Sequence, residues 1–129
     1  MKYLKGYNES VSSDIENDIK DILLPLIDDG FECGVRIGQY INIGQFRSGV
    51  SPICVVISKE YEINNTTTLA IFEYSQIKDS VKHLVSFLHE KGYKLGSCSA
   101  VFDGRSDRNC DINMSDNVTI TILRLTFDL

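Results

Sequence analysis

Ten positions near the start of the chain recur at one constant spacing. Ser13, Ile15, Ile19, Lys20, Ile22, Leu23, Leu26, Gly30, Phe31 and Gly34 return as Ser75, Ile77, Val81, Lys82, Leu84, Val85, Leu88, Gly92, Tyr93 and Gly96, an offset of 62 residues in every pair. The repeated pattern holds a serine suited to a helix start, an apolar stripe of helical period, a glycine suited to a helix stop and an aromatic residue opening a strand. It predicts two successive helix-then-strands units. Any two amphipathic helices ended by glycine share these residue types, so the echo stands either for a duplication or for a repeated topology without common origin.

The rest of the chain is read around this frame. Residues 1 to 12, with Tyr3, Leu4 and Tyr7, read as a short strand or a docking arm. Ser13-Asp-Ile-Glu16 has capping-box form and opens the first helix, in which Pro25 removes the N–H that would bond the Asp21 carbonyl and should kink the last turn. From Phe31 to Ile43 apolar residues alternate with polar ones, giving a long strand with one buried side. Gly34, Gly38 and Gly44 lack the G-x-G-x-x-G spacing of a dinucleotide site and read as bulges or close approaches. Residues 44 to 52 form a turn or arm containing Phe46 and Arg47, and Ile53-Cys-Val-Val-Ile57 reads as a central strand.

Residues 60 to 65 read as a polar connection and Thr66 to Tyr74 as a third strand. Ser75 should cap the second helix, followed by a strand over Tyr93 to Phe102, a polar loop over 103 to 117, and a last strand over Val118 to Leu129. That last strand switches its inward pattern between Ile122 and Leu123, as a bulge or a change of packing partner would require. The expected fold is α+β, one domain over residues 1 to 129, with two helices on one face of a mostly antiparallel sheet and two αββ units related by a pseudo-twofold. Ile22 and Leu84 belong to its common core.

With 129 residues, 43% hydrophobic and 24% charged, the chain is large enough to bury one core without staples. A formal charge of −5 with scattered Lys and Arg argues against nucleic acid as partner. No apolar run has signal-peptide or membrane-span length, so the expected compartment is the cytoplasm, and the Asn-x-Ser/Thr triplets at Asn8, Asn64, Asn65, Asn113 and Asn117 carry no glycan there. Cys33, Cys54, Cys98 and Cys110 show no C-x-x-C spacing and read as reduced, mostly buried thiols rather than zinc ligands.

Chemistry is sparse. Asp103, Asp107, Asp111 and Asp116 offer carboxylates but not the ligand spacing of a Ca²⁺ loop, and Arg105 and Arg108 lie among them as counter-charges. His83 and His89 are six residues apart, the wrong spacing for paired helix ligands, and nothing adjacent to Cys110 would depress its pKa. No serine elbow, phosphate loop or carboxylate pair is legible, and no cofactor, metal or catalytic residue is assigned.

The segment Ile19-Lys-Asp-Ile-Leu-Leu-Pro-Leu-Ile-Asp-Asp-Gly-Phe-Glu-Cys33 resembles the start of small uncharacterised proteins of large tailed bacteriophages. The order helix, three strands, helix, strand also resembles phage tail-terminator and tail-completion proteins. That resemblance implies a non-enzymatic ring subunit at a neck or tail end, working in the host cytoplasm and incorporated into a virion, without catalytic residues to carry over. The expected function is assembly through protein contacts with other subunits, as a homo-oligomer or within a larger assembly, with Tyr3, Tyr7, Phe46, Arg47, Arg105, Asp107, Arg108 and Asp111 at the contacts. The competing reading is a small binding or inhibitory module that sequesters a host protein or a small ligand between its two units.

Overall fold

In the computed structural model, residues 7–37, 53–102 and 106–128 are described, and side-chain statements are confined to 15–37, 53–102 and 107–128. Helix α1 (Tyr7–Asp28) leads into strand β1 (Phe31–Ile37), then β2 (Ile53–Ile63), β3 (Thr66–Leu69) and β4 (Phe72–Glu73). A 3-10 turn over Tyr74–Gln76 precedes helix α2 (Lys78–Glu90), followed by β5 (Lys94–Phe102), β6 (Ser106–Asn109), β7 (Thr119–Ile120) and β8 (Ile122–Asp128). The main sheet runs β1-β2-β8-β5-β6 with β3 attached to β2, and β4 pairs with β7 in a second, two-stranded sheet. Every pairing is antiparallel. The fold is α+β.

The apolar stripes of the two helices meet one face of this sheet. Ile19, Leu23 and Leu26 of α1 and Val81, Leu84 and Leu88 of α2 are buried against Ile53, Val55 and Ile57 of β2 and Leu123, Leu125 and Phe127 of β8. Ile22 packs partly buried against the same cluster. Phe31 and Phe72 close one end of the core edge to face, their ring centroids 4.9 Å apart. The opposite face carries Glu32, Gly34 and Arg36 of β1, Cys54, Val56 and Ser58 of β2, and Arg124 and Thr126 of β8, as strand alternation requires.

The repeat is physical. Gly30 and Gly92, one offset apart, hold φ of +96° and +95° directly after the two helices. Three of the hydrogen bonds that end the helices match in pairs, while the bond from Tyr93 N to Leu88 O at 2.9 Å belongs to the second end. Asp29 N donates to the Pro25 and Leu26 carbonyls at 3.2 and 3.0 Å, as Lys91 N does to those of Phe87 and Leu88 at 3.2 and 3.0 Å. Gly30 N donates to Ile27 O at 3.0 Å and Gly92 N to His89 O at 3.0 Å. These are glycine C-caps, where a left-handed residue lets the chain turn back over the last carbonyls.

The strands continue the relation. Val35 faces Val55, Cys98 faces Leu125, and Val55 and Leu125 face each other. A twofold axis normal to the sheet through that last pair therefore exchanges β1 with β5 and β2 with β8. From Val35 to Cys98 is 63 residues, one more than the offset, because the register shifts by one between Leu95 and Ser97. Gly96 is the extra residue of this bulge, and it keeps both Leu95 and Cys98 on the helix side. β3, β4 and the 3-10 turn lie between the units, and β6 and β7 are inserted between the two exchanged strands of the second.

Several local expectations are corrected. The helix opens at Tyr7, so residues 7 to 12 belong to α1 rather than to an arm, and Ser13 lies inside it. Pro25 lies inside the last turns, as expected, and α1 continues past it to Asp28. The expected third strand is divided into β3 and β4, and Tyr74 to Gln76 coil into the 3-10 turn, so the cap of α2 falls at Ile77 rather than Ser75. The polar 103 to 117 stretch contains β6, paired with β5 from Ser99↔Asn109 to Phe102↔Ser106. The break in the last strand falls at Thr121, buried and bonded through its N–H to Val101 O at 3.0 Å. There the chain leaves the β4 partnership for the main sheet. Residues 38 to 43 of the long expected strand, and 44 to 52, lie outside the described residues.

Candidate interaction site

Strand β2 is longer than its neighbours. It pairs with β1 over residues 53 to 59 and with β8 over 53 to 58. From Glu60 to Ile63 its described partner is β3, through Glu60↔Leu69, Tyr61↔Thr68, Glu62↔Thr67 and Ile63↔Thr66. The result is a two-stranded ribbon extending beyond the pairing of the main sheet. Asn64 and Asn65 turn it with φ of 53° and 65°, the two left-handed residues of a type I′ hairpin, and asparagine tolerates that conformation better than most side chains.

Strand alternation gives the ribbon two unlike faces. Tyr61 and Ile63 continue the side of β2 that carries Ile53, Val55 and Ile57. Beneath the helices those residues are buried; beyond them Tyr61 is 46% and Ile63 52% exposed. The apolar stripe of β2 thus runs past the core it serves. Glu60, Glu62, Thr67 and Leu69 form the reverse face, and Ile71, at the ribbon's foot, is 65% exposed. Four of the six exposed large hydrophobics among the described residues are Tyr61, Ile63, Leu69 and Ile71, with the other two, Leu24 and Ile27, on α1. Single exposed apolar residues are ordinary, but their concentration on and beside one projecting hairpin makes the ribbon the candidate interaction site.

The residues expected at contacts fall elsewhere. Tyr3, Phe46, Arg47 and Arg105 lie outside the described residues, and Tyr7 begins α1. Asp107 is held by Arg124, Oδ2 to Nη1 at 2.6 Å, across the open face of the sheet. Arg108 lies over the Phe102 ring, 5.4 Å from its centroid. Asp111 Oδ1 accepts from Asn113 N at 2.9 Å, and Asp116 pairs with Lys78 at 2.7 Å. These charges are engaged within the fold, and no group of three potential metal ligands occurs among the described residues. His83 and His89 are exposed on α2.

The segment after β6 is tied down from below. The Tyr74 hydroxyl donates to Ile112 O at 2.6 Å, and Cys110, Ile112, Met114 and Val118 pack against the core. Burial first, and then nearby thiols and carboxylates, push the Tyr74 hydroxyl well above the usual tyrosine range. Burial also pushes the Cys33 thiol up to about 11, with the adjacent Glu32 adding to the shift. Burial thus favours the neutral, protonated form of both groups. Through these residues the segment is packed against the core, while Asp107, Arg108 and Asp111 stay exposed.

The ribbon escaped the sequence reading because Glu60 and Glu62 make the stretch look like a connection. The signal was there: Tyr61 and Ile63 alternate with those acids, and Asn64-Asn65 sits at a two-residue hairpin position. No helix of the described residues is long and apolar enough to cross a membrane. Against known protein families, curated proteins and solved structures the chain shows no match.

Proposed function

We propose that this chain is a non-enzymatic assembly subunit, of the kind found at the neck or tail of tailed bacteriophages, which joins further copies of itself through the β2–β3 ribbon. The observation that carries this reading is the run of exposed apolar side chains, Tyr61 and Ile63 above all, on a hairpin that projects from a well-filled core. Backbone chemistry favours the same use. A projecting ribbon offers unpaired N–H and C=O groups, and adding a strand to a neighbouring sheet satisfies them while its side chains select the partner. Among the described residues β1 and β6 each pair on one side only, so either edge can receive the ribbon of the next copy. Such a head-to-tail contact closes a ring when its rotation closes. In a phage-infected cell the subunit would assemble in the host cytoplasm and remain in the particle.

The double variant Tyr61→Ser, Ile63→Ser tests the reading by size-exclusion chromatography with light scattering. Both side chains are about half exposed, so stability should change by less than about 1 kcal/mol. The unaltered chain is expected to elute as a multimer and the variant as a monomer. A unaltered chain that stays monomeric at high concentration, or a variant with unchanged mass, overturns the proposal.

A further inference from the structure

Two thiols lie against each other where β5 meets the segment after β6. The register Ser99↔Asn109 continues by one residue to set Cys98 opposite Cys110, and Cys110 N donates to Cys98 O at 2.9 Å. Directly opposed residues of an antiparallel pair hold their Cα atoms about 4.5–5.5 Å apart, inside the span of about 4.4–6.8 Å that a disulfide accepts. The sulfurs are 3.0 Å apart, so bonding them takes an approach of about 1 Å. A surface cleft of about 260 Å³ opens on them, its rim carrying Gly96, Ser97 and Asp111.

We propose that Cys98 and Cys110 form a dithiol modification site, converted to a cross-strand disulfide by exchange with a low-molecular-weight disulfide of the glutathione class that enters this cleft. Cys110 reacts first. It is the more exposed of the two; burial foremost raises both thiols above the ordinary range, and the hydrogen bond between them favours the thiolate of Cys110 while disfavouring that of Cys98. The Cys110 thiolate attacks one sulfur of the oxidant, whose S–S bond breaks, and the departing thiolate takes up the proton that Cys110 lost. The Cys98 sulfur then gives its proton to solvent and attacks the Cys110 sulfur, expelling the second oxidant thiolate, which is protonated in turn. Two protein thiols become one disulfide as one oxidant disulfide becomes two thiols.

The remaining cysteines cannot take this part. Cys33 faces Ile57 on the helix side, whereas Cys54 faces Arg36 on the opposite side of the sheet. Cys33 and Cys98 stand three strands apart in the order β1-β2-β8-β5, roughly 14 Å at ordinary strand spacing. The bond would staple the segment that carries Ile112 and its link to Tyr74, locking the outer part of β5 to β6.

The full chain, purified reduced, is equilibrated against graded ratios of reduced and oxidised glutathione, quenched in acid, labelled with a maleimide and weighed intact. The expected result is loss of two of the four thiols, a mass lower by about 2 Da before labelling, and a peptide map joining Cys98 to Cys110. The variant Cys33→Ser, Cys54→Ser should close the same bond, and Cys110→Ser should not lose two thiols together. Retention of all four thiols at the most oxidising ratio, a stable glutathione adduct on Cys110 without closure, or a bond that includes Cys33 or Cys54 overturns the proposal.

Discussion

Leu84→Ala is expected to lower stability by about 2–5 kcal/mol, read as a fall in the denaturant midpoint without a change in slope. Leu84 is fully buried on α2, within the cluster that includes Leu123, Leu125 and Phe127 of β8. Removing its isobutyl group forfeits transfer free energy and leaves a void that two helices packed on a sheet close only partly. The equivalent residue of the first unit, Ile22, is only partly buried, so Ile22→Ala should cost distinctly less. A loss below about 0.5 kcal/mol at Leu84 would place the wrong face of α2 against the sheet.

The second large effect comes from the caps. Gly30→Ala and Gly92→Ala should each cost about 1–2 kcal/mol, because an L side chain at φ near +95° crowds its own carbonyl. A methyl group at Gly92 would meet nothing within 4 Å, and one at Gly30 would meet only Lys59 Cε at 3.9 Å. The two costs should therefore be alike and purely conformational. In the double variant they should add, the sites being ends of different helices, to about 2–4 kcal/mol. Urea unfolding of the three variants reads this directly, and a cost at one glycine with none at the other contradicts equivalent helix ends.

The same two glycines show why part of the fold was legible. A C-cap has few chemical solutions, so Gly30 and Gly92 announce the ends of both helices in the bare sequence, and the stripes Ile19-Leu23-Leu26 and Val81-Leu84-Leu88 announce their buried faces. The start of α1 was less constrained. Ser13 and Glu16 make a capping box available but do not compel it, and adding turns to an existing helix costs less than nucleating one. β6 was hidden for a different reason. Ser106-Asp-Arg-Asn109 has neither β-branched nor aromatic residues, and it is a strand because β5 offers it a partner.

The site was hidden by a mixed signal. Loops rich in glycine and charge at 44 to 51 and 103 to 117 looked like contact arms; of their charged residues, Asp107, Arg108 and Asp111 are exposed and are partnered at the surface by Arg124, Phe102 and Asn113. Their partners come from distant strands or from turn geometry, which local composition does not record. Tyr61 and Ile63, by contrast, share the period-2 pattern of buried strand residues. Only the length of β2 relative to its neighbours reveals that this part of the pattern has no core beneath it.

Amide hydrogen exchange on the β2–β3 ribbon, followed from dilute to concentrated protein, tests the assembly account most directly. Residues 60 to 69 bond one another on one side only among the described residues, so in dilute solution they should exchange far faster than the central amides of β2 and β8. On assembly their protection should rise while that of α2 stays constant. Ribbon amides that exchange at the same rate in monomer and multimer, with new protection appearing elsewhere, would contradict it.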